Sequence, residues 1–228
     1  MNIGIEDTTV VQRIMKLHSV EIPRHLMQMY PVRTGMEFDP NVYFTVLTHL
    51  AMKPGYIIDY VYCKSHLGSH QCIYARRIDE KPASHFEHRD WEEKNSGYSF
   101  LVADGSSDGY FQLAVFRRLA GQFYLYWHAN YNDIRIVTTP EEMEVIISEV
   151  NLNNFGRVFT NKQVTDMRLI DPQPTVEVSD SQASVTYCVF TKWGGLARLK
   201  DSYLRPPPHR LVDSDVLDEV KHDCDINF

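Results

Sequence analysis

Four short strand-like runs follow one another between Tyr98 and Val137, and the links between them are too short for anything but reversals of direction. The runs are Tyr98 to Ala103, Tyr110 to Arg118, Gln122 to His128 and Ile134 to Val137. Their separators, Asp104 to Gly109, Ala120-Gly121 and Asn130 to Asp133, are turn chemistry. A parallel pairing needs a crossover of a dozen or more residues, so links of this length specify antiparallel hairpins. The segment predicts a meander. With it comes an α+β fold class: a predominantly antiparallel β-sheet, bent or partly closed, with a few peripheral helices.

The rest of the chain adds to both lists. Further strands are expected at Tyr56 to Cys63, Cys72 to Ile78, Val164 to Ile170, Thr175 to Val178, Ser184 to Lys192 and Leu196 to Lys200. Thr9 and Gln12 have capping-box spacing, and Val10, Val11, Ile14, Leu17 and His18 then fall on one helical face. Asp39-Pro40 opens a second helix over Val42 to Met52, which Pro54-Gly55 ends. Thr139-Pro140-Glu141-Glu142 starts a third, with Met143, Ile146, Ile147 and Val150 on its apolar face. Asp213 to Val220 reads as a short closing helix. No internal repeat and no Gly/Ser-rich linker divides the 228 residues, so residues 1–228 are expected to form one domain, with a weak point near 151–160. A chain of this size buries about 70% of its unfolded surface, which supports a core without disulfides.

Charge and cysteine usage narrow the function classes. The N-terminus has no basic and apolar leader, no apolar run approaches the roughly 18 residues of a membrane span, and four cysteines are too sparse for a disulfide framework. These features point to a soluble, cytoplasmic protein. The net charge of −7 disfavours nucleic acid and anionic membranes as partners. Five basic residues between Lys192 and Arg210 are followed by six acidic ones between Asp213 and Asp225. Mutual neutralisation is the simpler account of these blocks, within one chain or across a homo-oligomer.

Two groups of residues carry candidate chemistry. Cys63, His66, His70 and Cys72 place four soft ligands within ten residues, and His85 and His88 follow. Thiolate and imidazole are the donors zinc prefers, although the spacing C-x2-H-x3-H-x-C matches no standard finger or ribbon. If the strands flanking Lys64 to Gln71 pair, they bring Cys63 and Cys72 together with His66 and His70 in the loop. The competing account is surface histidines beside two core cysteines. The second group is aromatic. Strand alternation over Gln122 to His128 puts Tyr124, Tyr126 and His128 on one face, with Tyr131 at the exit, as candidate lining of a ligand pocket.

Other patterns give less. His85 to Glu93 mixes acids, bases and an aromatic as a solvated loop also does. Asp104 to Gly109 imitates half a calcium loop, but Val115 stands where a bidentate glutamate is needed. No Walker loop, dinucleotide fingerprint, nucleophile elbow or kinase motif is present, and no catalytic residue can be named. The expected function is a non-catalytic domain that binds a small-molecule or protein ligand on an aromatic-rich sheet surface. The alternative is a zinc-type metal-dependent enzyme using the Cys63 to His88 region.

Overall fold

The computed structural model describes residues 9–29, 31–64, 68–83, 97–127, 134–152 and 156–223. Helix α1 (Val10–His18) leads into two 3-10 segments, Arg24–Met27 and Pro40–Thr45. Strands β1 (Leu50–Met52), β2 (Tyr56–Lys64) and β3 (Gly68–Arg77) precede a 3-10 turn, Gly97–Phe100, and β4 (Leu101–Ala103). Then come α2 (Ser107–Leu119), β5 (Tyr126–Trp127), β6 (Arg135–Val137), α3 (Pro140–Leu152) and α4 (Asn161–Leu169). Strands β7 (Thr175–Val178), β8 (Gln182–Thr191), β9 (Gly195–Leu204) and β10 (Leu211–Lys221) close the described chain. No helix among the described residues is long and apolar enough to cross a membrane.

The fold is α+β, and among the described residues every pairing is antiparallel and the strands form three open sheets. β1 pairs β4; β2, β3 and β5 form a second sheet; the third runs β10-β9-β8-β6, with β7 also on β8. Helix α2 explains how they share one core. Its Tyr110, Leu113, Val115, Phe116 and Leu119 are buried in one cluster with Ile58, Tyr60 and Tyr62 of β2 and with Val185, Tyr187, Leu199 and Tyr203 of the largest sheet. The other face of that sheet packs Cys188, Phe190, Leu196 and Val220 against Met143, Ile146, Ile147 and Val150 of α3 and Met167 of α4. β8 alternates accordingly, with Val185, Tyr187 and Val189 to one side and Cys188 and Phe190 to the other.

Local capping sets the helices. Gln12 N donates to Thr9 Oγ1 at 3.2 Å and Thr9 N to Gln12 Oε1 at 3.1 Å, the reciprocal box expected of these residues. Asp39 caps the Pro40–Thr45 segment through Asn41 N. Glu142 N donates to Thr139 Oγ1 at 3.2 Å, as the sequence there implies.

Several expected elements are different. Residues 110–118 belong to helix α2, so the meander does not form. Ser106 Oγ accepts from Gly109 N at 3.0 Å and starts the helix, and the helix is buried on nearly every side. An all-round apolar run reads alike as a central strand or a buried helix. The expected helix over 42–52 is a six-residue 3-10 segment followed by β1. The expected strand over 164–170 lies in α4, capped by a Thr160–Gln163 box. The expected closing helix over 213–220 is the edge strand β10.

β10 is exposed from Val212 to Glu219, pairs with β9 alone among the described strands, and its register shifts twice. Asp213, Asp215, Asp218 and Glu219 stand along it. Its far end closes over Gly195, whose φ of +89° and closeness to the Val220 carbonyl leave no room for a side chain. Inside the sheet, Asp201 is 1% exposed and accepts from Tyr187 Oη at 2.6 Å, Tyr203 Oη at 3.2 Å, Ser214 Oγ at 2.5 Å and Arg118 Nη2 at 3.2 Å.

Candidate functional site

The ladder between β2 and β3 sorts their side chains into two sets. Ile58, Tyr60 and Tyr62 face the main core. Asp59, Val61 and Cys63 face the opposite way, and the register pairs them with Tyr74, Cys72 and His70. This second face holds a small apolar cluster of Val61, Cys63 and Tyr74, with Cys72 and Ala83 packed on it. Ala83 N donates to Tyr74 Oη at 2.7 Å and ties the following chain to the same face.

At the turn end of this face, donor atoms of Cys63, His70 and Cys72 all lie within 4.8 Å of one another. The two sulfurs are 3.5 Å apart. A tetrahedral zinc ion with Zn–S bonds of about 2.3 Å separates its sulfur ligands by roughly 3.8 Å, so a slight spreading of the thiols and a turn of the imidazole complete the geometry. Cys63 is buried, Cys72 half-buried and His70 exposed, an arrangement that leaves one open side. The hydrogen bond with Cys63, and burial after it, push the Cys72 thiol well above its ordinary range, while His70 pulls the other way. A ligating sulfur must lose its proton, so an ion here competes with that shared proton and reverses its effect.

The other end of the face is fixed by charge. Buried Asp59 accepts from Arg76 Nε at 2.6 Å and from Arg33 Nη1, and the Arg33 guanidinium lies 3.8 Å from the centre of the Tyr60 ring. Arg76 also donates to the Glu80 carbonyl at 2.7 Å. These bonds hold the 31–38 chain and the 77–80 turn against the hairpin. Nothing in the spacing of Arg33, Asp59 and Arg76 along the sequence announces the cluster.

The structure thus brings together three of the six metal candidates. His70 lies within β3 rather than in the loop, directly across from Cys63. His66, His85 and His88 lie outside the described residues. Of the aromatic group, Tyr124 is buried with a left-handed φ of +52° and its Oη accepts from Phe38 N at 3.0 Å. Tyr126 is exposed and pairs with Ser69 in the two-residue strand β5. The strand begins only there, so Tyr124 and Tyr126 do not share a strand face. His128 and Tyr131 lie outside the described residues.

Two further patterns resolve into structure. Asp104 to Gly109 forms the entry to α2, and His49 Nδ1 meets Asp104 Oδ2 at 2.7 Å and Ser106 Oγ at 3.5 Å. A catalytic triad needs the serine and a hydrogen-bonded carboxylate on different ring nitrogens; here Ser106 and Asp104 approach the same one, and Asp108 Oδ2 stands 4.0 Å from the other, beyond hydrogen-bond reach. The basic and acidic blocks face each other along the β9–β10 ladder, with Lys200 opposite Asp215 and Arg198 opposite Asp218, the latter pair 4.0 Å apart. Comparison with protein-family models, with characterised proteins and with solved structures returns no match.

Proposed function

We propose that the protein binds a thiophilic transition-metal ion, zinc by preference, through Cys63, His70 and Cys72. The bound ion would clasp the turn end of the β2–β3 hairpin. The observation that carries the reading is the convergence of two thiols and an imidazole within 4.8 Å from two facing strands. Soft sulfur and imidazole select zinc, copper(I) and iron–sulfur chemistry over calcium or magnesium. A third argument is position. The donors sit on rigid strands whose other face is built into the main core, so the metal would meet a preorganised site.

Elemental analysis of the purified full chain tests this, together with cobalt substitution. About one equivalent of zinc per chain is expected, with a thiolate-to-cobalt charge-transfer band after exchange. Cys63→Ser and Cys72→Ser should lose both signals while keeping the circular dichroism of the parent. A parent chain that neither retains zinc nor gives the cobalt band would overturn the proposal, as would serine variants that bind as well as the parent.

A further inference from the structure

The sulfurs of Cys63 and Cys72, 3.5 Å apart, are also placed to react with each other. A disulfide brings its sulfurs to about 2.05 Å, so the two side chains must close by roughly 1.5 Å. Both lie on the same face of the β2–β3 hairpin, in the cluster with Val61 and Tyr74, so the bond would cross no backbone. The third described cysteine, Cys188, is fully buried in the other core cluster, and its thiol donates to the Asp171 carbonyl at 3.8 Å. It takes no part.

Exposure and register decide how such a bond behaves. Cys72 is half-buried and Cys63 buried, so a reagent from solution meets Cys72 first. Cys63 faces His70 and Cys72 faces Val61, which makes the cysteines diagonal rather than direct neighbours. Diagonal positions on paired strands are farther apart than opposed ones, so closing the bond draws the strands past one another. A disulfide formed under strain is readily reduced again.

We infer that Cys63 and Cys72 form a reversible disulfide by exchange with a low-molecular-weight disulfide, and that this oxidation dismantles the metal site. The Cys72 sulfur attacks one sulfur of the external disulfide. That S–S bond breaks, a mixed disulfide forms on Cys72, and the displaced thiol leaves with the Cys72 proton. The Cys63 sulfur then attacks the Cys72 sulfur beside it. The mixed bond breaks, the Cys63–Cys72 bond forms, and a second external thiol leaves with the Cys63 proton. Two protein thiols are oxidised and one external disulfide is reduced to two thiols. Because the second attack starts from sulfurs already in contact, it is effectively unimolecular and the mixed disulfide does not accumulate. Oxidation consumes two of the three donors among Cys63, His70 and Cys72. Release of an ion rests on metal binding by this site, whereas the disulfide does not.

Glutathione redox buffers test the inference on the full chain. At each ratio of oxidised to reduced glutathione the chain is brought to equilibrium at pH 8, quenched with acid and mapped by peptide mass spectrometry. In the parent a Cys63–Cys72 link should appear as the oxidised share rises, with no glutathione retained, and should vanish when reduced glutathione is restored. Cys188 should stay a thiol throughout. In Cys63→Ser the second step has no attacking sulfur, so glutathione should remain on Cys72. A parent that keeps glutathione on Cys72 as that variant does overturns the inference. So does a parent whose two thiols stay reduced at every ratio. With zinc added beforehand, the ion should pass to a chromogenic chelator as the link forms. A chain that forms the link but never held zinc removes the metal reading and leaves the disulfide standing. Zinc still held after the link has formed overturns the coupling between them.

Discussion

Cys63 and Cys72 hold their sulfurs 3.5 Å apart although neither is the other's direct partner in the ladder; Cys63 lies opposite His70 and Cys72 opposite Val61. The diagonal contact lets the thiols share a proton, and that hydrogen bond, with burial, raises the Cys72 thiol. Cys72 is therefore protonated at neutral pH and a poor nucleophile. We expect alkylation of Cys72 by iodoacetamide to be slower at pH 8 than that of a free cysteine, and to accelerate only in more alkaline buffer. Peptide-resolved mass spectrometry measures the rate. Reaction at the free-cysteine rate at pH 8 would contradict the thiol–thiol bond.

His18 gives the fold a defined acid response. Tyr43 Oη donates to the Ala120 carbonyl at 2.9 Å, so it can only accept from His18 Nε2 at 2.8 Å, and His18 Nδ1 is buried without a partner. Burial lowers the His18 pKa from 6.5 to about 4. Between those values the unfolded chain holds a proton that the folded chain rejects, so stability is full above pH 6.5 and falls as pH drops toward 4. The linkage amounts to roughly 3 kcal/mol once the window is crossed. Urea midpoints at pH 7 and pH 5 should therefore differ by more in the parent than in His18→Gln, and equal differences would refute the assignment. Glu37, held at about 2 chiefly by hydrogen bonds from Thr34 that outweigh its burial, adds its own loss only below its unfolded value of 4.5.

How far these features can be read from sequence depends on whether local chemistry or tertiary packing decides them. The Thr9–Gln12 box and the Thr139-Pro140 start are local, and both form. The β2–β3 pairing follows from two β-rich runs around a short polar link, and it carries the convergence of Cys63 and Cys72. Helix α2 is invisible by pattern because it is buried on nearly every side; only Ser106 marks its start. The exposure of residues 212–219 removes the alternation that identifies a strand. The Asp59 environment arises from chain segments distant in sequence, which no spacing rule joins.

Asp201 should be the most sensitive charged position. It is 1% exposed and is the buried counter-charge of Arg118. Asp201→Asn leaves that guanidinium without its carboxylate and disturbs the bonds from Tyr187, Tyr203 and Ser214. A loss of about 3–5 kcal/mol is expected by denaturant titration. A loss under about 1 kcal/mol, typical of an exposed pair, would show the network to be dispensable.

Two glycines with the same backbone sign should respond differently to alanine. Gly35 has φ of +87° and nothing within 4 Å of an added Cβ, so Gly35→Ala should cost only the left-handed penalty of about 1–2 kcal/mol. At Gly195 (φ +89°) the Cβ would stand 2.1 Å from the Val220 carbonyl oxygen. Gly195→Ala must push β10 away from β9. Hydrogen exchange should then report lost protection along 211–221, and unchanged protection there would contradict the close approach.

The placement of acids on β10 bears on how crowded solutions of this protein behave. The outer rail of that strand offers unsatisfied backbone groups on which a second molecule could zip antiparallel. Zipping would bring the acidic run Asp213, Asp215, Asp218 and Glu219 of one molecule alongside the same run of the other, and the two breaks in register would spoil the match. The strand is thus a template that rejects its own copy. Replacing the four acids together (Asp213→Asn, Asp215→Asn, Asp218→Asn and Glu219→Gln) removes the repulsion, so concentrated samples of that variant should cloud where the parent stays clear.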